Sequence, residues 1–291
     1  MTARATTPVH VAPRRRGGSP LEAVLVHVAF VAVIVFFLAP FVWLVTAAFD
    51  SEAKAYIRIP SSPTLDNFVR IFTEHDFGHA LMNSFIVAGL TTVLDVIVVS
   101  LAGYSLSRLD LRFKSWIMYA ILLLQTMPLS ATMVPIYGLA KTLGLRNSYL
   151  GLVLIHAAIE LPFLIWLMKG FFDTVPRQLE EASWLDGRSK WRALVEIVLP
   201  VARSGIGVVA GLAFLAAWAE VLMVIILVDK QDLKTVPLAF YETFRTQGGY
   251  NEVQYGLVAA MGVLYALPVM ALFFTTRRMM VRGLISTSRG L

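Results

Sequence analysis

The chain has 291 residues, of which 57% are hydrophobic and only 15% charged, with a mean hydropathy of +0.71. Soluble domains sit nearer about 45–50% apolar and about 25% charged, so the balance excludes an ordinary soluble domain and argues for a membrane protein. The absence of cysteine excludes disulfides, thiolate nucleophiles and cysteine-held metal, and the net charge of +6 in such a chain records loop orientation, so no nucleic-acid partner is inferred.

In chain order, residues 1–20 come first, with Arg14, Arg15 and Arg16 among Pro, Gly and Thr; they read as a disordered basic arm. A hydrocarbon core about 30 Å thick needs roughly 20 helical residues at about 1.5 Å each. Six apolar runs meet that length: Ala23 to Phe49, Ala80 to Leu106, Ser115 to Ala140, Ser148 to Met168, Ser204 to Val228 and Gly256 to Thr276. The first is too long for a signal-peptide core and reads as a retained anchor. The expected architecture is all-α and polytopic, with a six-helix domain over 21–276 and a tail over 277–291.

Six spans with the N-terminus inside place both ends in the cytoplasm. On that assignment 17 of the 25 Lys and Arg residues lie inside, which the positive-inside rule favours. The third span carries Pro128 and Pro135 seven residues apart, the first Pro40, the fourth Pro162 and the sixth Pro268. Prolines within a span either shape helix packing or mark breaks against protein or a water-filled cavity. Gln125, Thr126, Ser130 and Thr132 surround the break at Pro128, so the third span is the candidate pathway-lining helix. In the fifth, Gly207 and Gly211 form a small-residue pair that allows close approach of another helix, from this chain or from a partner.

Only three charged side chains, Asp95, Glu160 and Glu220, fall within the six runs. Each costs about 2.5–3.5 kcal/mol at a helix centre on insertion scales, so each should face protein or water. A proton relay through them would make the chain an autonomous proton-coupled carrier. Protonation, hydrogen bonding across helices or a position close to an interface explains all three more simply. His156, four residues before Glu160, lies on the same helix face and within reach of it; two such ligands make no metal site. A membrane scaffold that transports nothing is a third class.

The segment DTVPRQLEEASWLDGRSKWRALVEIVLP, Asp173 to Pro200, carries the most information. Pro176 suits a first helical turn, Glu180 and Glu181 suit its N-terminal half, and Gly187 suits the C′ position. A second helix is expected from Trp191 to Val198. Leu179, Ala182, Trp184 and Leu185 interrupt the charges, which suits docking into a groove.

Glu181, Ala182 and Ser183, then three residues, Gly187, nine residues, Ile197, and Leu199-Pro200, match the spacing of the EAA signature. The segment thus resembles that signature of ABC-importer permeases, with Ser183 for the family's third-position Ala and Ser204 where a Pro often stands. PSSPTLDNFVRIF (Pro60 to Phe72), LAGYSLSRLDLRFK (Leu101 to Lys114), the run Met127 to Gly151, ELPFLIWLMKGFF and RRMMVRGL extend the resemblance to the MalG-type permease of carbohydrate importers. Trp218-Ala219-Glu220 departs from that family's Trp-Asn-Glu.

The resemblance implies an ABC type I importer permease fold in the bacterial cytoplasmic membrane. It also implies a homologous second permease, two ATPase subunits and an extracytoplasmic sugar-binding protein as partners. ATP and magnesium would bind the ATPases; this sequence has no GxxxxGK[ST] loop, no cofactor or metal is expected on it, and it is not expected to be an enzyme. Glu180, Glu181, Ala182, Ser183, Leu185, Asp186 and Gly187 would form the ATPase-coupling helix. Gln125, Thr126, Ser130, Thr132 and Glu220 would line the pathway, for a sugar or, alternatively, another solute. Outside, the loops Asp50 to His79 and Asp229 to Gln254 are large enough to receive a binding protein; the second holds Tyr241, Phe244, Tyr250 and Gly248-Gly249.

Overall fold

Apolar runs of this length, left without water, must satisfy their backbone polar groups internally, and helices do so within one segment. The computed structural model, which describes residues 20–60, 62–247 and 253–288, is accordingly built of helices joined by loops, with one isolated bridge between Asp50 and Pro63. The long helices are α1 (Pro20–Ala48), α3 (Phe77–Arg108), α6 (Tyr149–Asp173) and α13 (Tyr255–Ser288). Shorter ones are α2 (Asp66–Thr73), α4 (Lys114–Leu124), α5 (Leu129–Thr142), α7 (Arg177–Leu185), α8 (Lys190–Ala193), α9 (Leu199–Val201), α10 (Arg203–Ala219), α11 (Leu222–Leu227) and α12 (Val236–Gln247). A π-helical turn, Leu194–Val198, joins α8 to α9. Among the described residues, four helices are long and apolar enough to cross a membrane, or up to six if each of two bent pairs counts as one span.

The first bent pair bears out the break expected at Pro128, and the second adds a bend that the apolar runs did not announce. The third expected span bends by 94° between α4 and α5, where Pro128, extended at φ −63° and ψ 131°, starts α5. A proline leaves no N–H to bond and pushes its predecessor out of the helical region, which ends α4. The fifth is not one helix: α10 stops at Ala219, Glu220 is extended, and α11 begins at Leu222. Ahead of α10 the chain turns through 79° at Ala202, although Ser204 replaces the family's proline. Pro40, Pro162 and Pro268 sit inside continuous helices. The sixth helix runs past Thr276 to Ser288, so the expected tail continues a helix. Residues 1–19 lie outside the described residues, as does the expectation of a disordered arm there.

Helix α3 is the central rod. It packs along α6 and α10, and its buried face includes Val87, Ala88, Thr91, Asp95, Val99 and Gly103. At the α6–α10 contact buried Gly205 lies against Phe171, where a Cβ would stand 2.4 Å from Phe171 Cγ. The expected close approach at Gly211 does not occur within this chain, since a Cβ there meets nothing within 4 Å. Helix α1 touches the bundle through Trp43, Leu44, Ala47 and Ala48 against α13, and most of its apolar length is exposed.

Two hydrogen-bonded clasps close the end of the bundle opposite α7. Buried Asn83 on α3 donates to the carbonyls of Asp232 and Lys234, each at 2.8 Å, and accepts from Tyr149 Oη at 2.5 Å. Asp50, 1% exposed, is held bidentately by Arg58 at 2.6 and 3.0 Å and accepts from the Glu52 N–H. That guanidinium keeps the Asp50 carboxyl below its ordinary pKa of 3.8.

Candidate functional site

The α7 region is built from the chain outward. Pro176, at φ −58° and ψ 128°, is the N-cap of α7; it precedes the first turn it was expected to occupy. At the other end Gly187 has φ +81°, the left-handed conformation that favours glycine. Its N–H donates to Trp184 O at 3.0 Å and the Arg188 N–H to Ser183 O at 3.0 Å, the paired bonds of a Schellman cap. Ser189 then caps α8 by accepting from the Arg192 N–H. Helix, glycine turn and helix thus follow the sequence expectation, with the second helix starting at Lys190 and loosening into the π turn.

The two faces of α7 differ. Glu180 (1% exposed) and Ser183 (3%) face the bundle, and Ser183 Oγ donates to Glu180 O at 2.8 Å. Leu179, Glu181, Ala182, Trp184, Leu185, Asp186 and Gly187 are exposed, Leu185 to 91%. Lys190 lies over the Trp184 ring. The loop is anchored below by Val175, Leu194 and Val198, which share a core with Val99, Met168 and Phe172.

Glu180 is where sequence reasoning fell short. Read as an acid favouring a helix N-terminus, it does lie in the first turn of α7, but it is also a buried anchor. Arg108 Nε donates to its Oε1 at 2.5 Å and Tyr104 Oη to its Oε2 at 2.8 Å. Arg108 also donates to Val175 O at 2.9 Å and Ser107 Oγ at 3.2 Å. Ser107 Oγ in turn donates to Asp173 Oδ1 at 2.6 Å, and Lys169 Nζ to Asp173 Oδ2 at 2.5 Å. With every acceptor satisfied, the buried pair is geometrically specified; removing one partner of such a pair costs about 3–5 kcal/mol. The available sequence signal was a lone arginine closing an apolar run, Arg108.

The pathway candidates split. Gln125 and Thr126 lie exposed in the α4–α5 turn, Ser130 is exposed on α5, and Thr132, half-buried, bonds back to Leu129 O. Glu220 sits at the other break, where its Oε1 accepts from the Met223 N–H at 3.0 Å and so caps α11. Leu129, first residue after one break, and Met223, just past the other, share a single apolar cluster, so the two broken spans pack together. Asp95 is fully buried, and neither carboxylate oxygen has a partner among the described residues. His156 does not bond Glu160: its Nδ1 pairs with Leu152 O at 2.7 Å and its Nε2 has no partner among the described residues. The backbone carbonyl four residues back competes successfully with the carboxylate. Tyr241 is exposed; the Phe244 side chain, Tyr250 and Gly248-Gly249 lie outside the described residues.

Over residues 96–285 the sequence matches the family described as "Binding-protein-dependent transport system inner membrane component". The chain belongs to this family. It is therefore a multi-pass membrane component of a transport system, and its matched region takes in α7 and both broken spans. The probable ABC transporter permease protein y4oR of Sinorhizobium fredii (strain NBRC 101917 / NGR234) is 34% identical over 85% of this chain and 88% of its own. The maltodextrin transport system permease protein MdxG of Bacillus subtilis (strain 168) is 33% identical over 80% and 83%. In fold this transport component is similar to a chain of a bacterial ABC transporter involved in the import of alginate, with TM-score 0.77 over 89% of this chain and 96% of that one, at 16% identity. The expected ABC importer permease fold is thus the observed one.

Proposed function

We propose that this chain is one of two homologous permease subunits of a carbohydrate ABC importer in the bacterial cytoplasmic membrane, with both termini inside. Substrate arrives on an extracytoplasmic binding protein, and two ATPase subunits drive its passage. The observation that carries the reading is α7, whose exposed Leu179, Ala182, Trp184 and Leu185 project from a helix fixed from behind by Glu180 and Ser183. An apolar patch on a rigid, charged knob suits a groove on another protein. ATP-driven closure of the ATPases would displace α7 as a rigid body and reorient the spans between outward-open and inward-open states. A sugar substrate is supported by relatives such as the maltodextrin permease protein of Bacillus subtilis (strain 168) and the trehalose permease protein SugB of Mycobacterium tuberculosis (strain CDC 1551 / Oshkosh). A binding-protein partner is supported by the related alginate transporter, solved in complex with a periplasmic protein.

The pathway is assigned to the two packed breaks, with Gln125, Thr126, Ser130, Thr132 and Glu220 beside it. Irregular backbone at membrane depth is stable only where it meets protein or lines a cavity. The test of coupling is Gly187→Pro or Glu181→Lys in the assembled complex. Each variant should insert normally and keep basal ATP hydrolysis, yet lose uptake; unchanged substrate-stimulated ATPase activity and uptake would refute the assignment. A proton-coupled carrier is the second reading, favoured by the buried, unpartnered Asp95. Solute uptake driven by a pH gradient in liposomes holding this chain alone would establish it.

A further inference from the structure

Helix α3 is 32 residues long without a proline, which at about 1.5 Å per residue makes an unbroken rod of roughly 48 Å. Its two ends are fastened to the two segments that face opposite sides. At one end Arg108 and Tyr104 hold both carboxylate oxygens of Glu180 on α7, and Arg108 also holds Val175 O ahead of it. At the other, Asn83 holds the carbonyls of Asp232 and Lys234, and Ser84 Oγ accepts from the Val236 N–H at 2.8 Å. Between them α3 packs along α6 and α10.

We propose that the Arg108–Glu180 pair is a latch that makes α7 and α3 one rigid body, so that a displacement of α7 is carried along α3 directly to the 232–236 segment on the opposite side. Arg108 and Tyr104 are then positioning residues for coupling, acting through Glu180. This rests on the reading of α7 as the coupling helix. Glu180 is suited to the role because it turns inward on α7, leaving the exposed face free for a partner. Its charge is matched by a guanidinium only 10% exposed, with a tyrosine hydroxyl on the second oxygen, so the joint resists both sliding and rotation. The route also explains how occupancy on one side is sensed on the other: a load on the 232–236 segment reaches α7 through the same rod.

The chain lacks cysteine, so labels can be placed at will. In the purified complex, Gln178→Cys on exposed α7 and Leu109→Cys just past α3 carry spin labels, and a second pair, Gln178→Cys with Leu139→Cys on α5, reports the change of state. Distances are measured without nucleotide and with ATP under non-hydrolysing conditions. The latch predicts an unchanged Gln178–Leu109 distance while Gln178–Leu139 shifts. In proteoliposomes Glu180→Gln should lower binding-protein-stimulated ATPase activity and uptake about tenfold with basal hydrolysis retained. Tyr104→Phe should have a smaller effect in the same direction. The exchange Arg108→Glu with Glu180→Arg should restore part of the coupling lost in either single variant, which separates loss of the joint from loss of folding. A Gln178–Leu109 distance that changes with nucleotide in the transporting wild type, or full coupling in Glu180→Gln, would overturn the latch alone. Absence of ATP-driven uptake by the wild-type complex would overturn the transport reading, and the latch with it.

Discussion

Gly187 ends α7 with a positive φ that a β-branched side chain enters only at a cost of about 1–2 kcal/mol. Gly187→Val should therefore lower the melting temperature in detergent only slightly while weakening uptake, because the strain falls on the turn that orients α7. An equal melting temperature with full uptake would show that the turn tolerates side chains. Asp50 makes a pH-dependent counterpart. Arg58 depresses its folded pKa below 3.8, so the clasp contributes fully above that value and is lost as pH falls through the lower, folded one. Loop 50–64 should then become protease-sensitive only in strong acid in the wild type, and at neutral pH in Asp50→Ala; equal resistance of the two proteins at neutral pH would contradict this. Gly187 was legible in sequence because a helix stop is a local event. Glu180 was not: its partners Arg108 and Tyr104 are more than seventy residues away, and spacing within one helix carries no trace of them. The expected pairing of His156 with Glu160 failed for the converse reason, since the imidazole pairs with a local carbonyl, Leu152 O, instead.

Among the elements, each of the six apolar runs holds helix, but hydropathy missed where helices stop. Apolar runs report what the bilayer demands, whereas helix ends report hydrogen bonding. Thus α13 continues beyond its apolar run. The break after Ala219 lacked a proline or glycine to announce it; its signal was Glu220 itself, an acid that caps the next helix. Pro128 announced the other break correctly. Packing between elements was the least legible: no helix of this chain approaches Gly211, whereas α6 meets α10 at Gly205, which no motif marked. Placing a Cβ 2.4 Å from Phe171 Cγ forces α10 away from α6, and overpacking of this kind costs about 1–3 kcal/mol. Gly205→Ala should lower the thermal stability of the purified protein accordingly, whereas Gly211→Ala, which meets nothing, should be neutral in the isolated chain. Equal melting temperatures for the two variants would contradict the crossing.

For the whole molecule, the unfinished surfaces are as informative as the core. Helix α1 leaves Phe36, Phe37, Phe41 and many aliphatic side chains uncovered, and no residue of α4 is buried. In a bilayer such faces meet lipid or a second permease, which suits half of a pathway more than a complete carrier. Energy input is likewise assigned to other subunits, through the outward face of α7. The most direct measurement is solute uptake into proteoliposomes by this chain alone and by its complex with the second permease, ATPases and binding protein, with internal ATP and with an imposed pH gradient. The account predicts uptake only by the complex and only with ATP; uptake by the isolated chain down a pH gradient would contradict it.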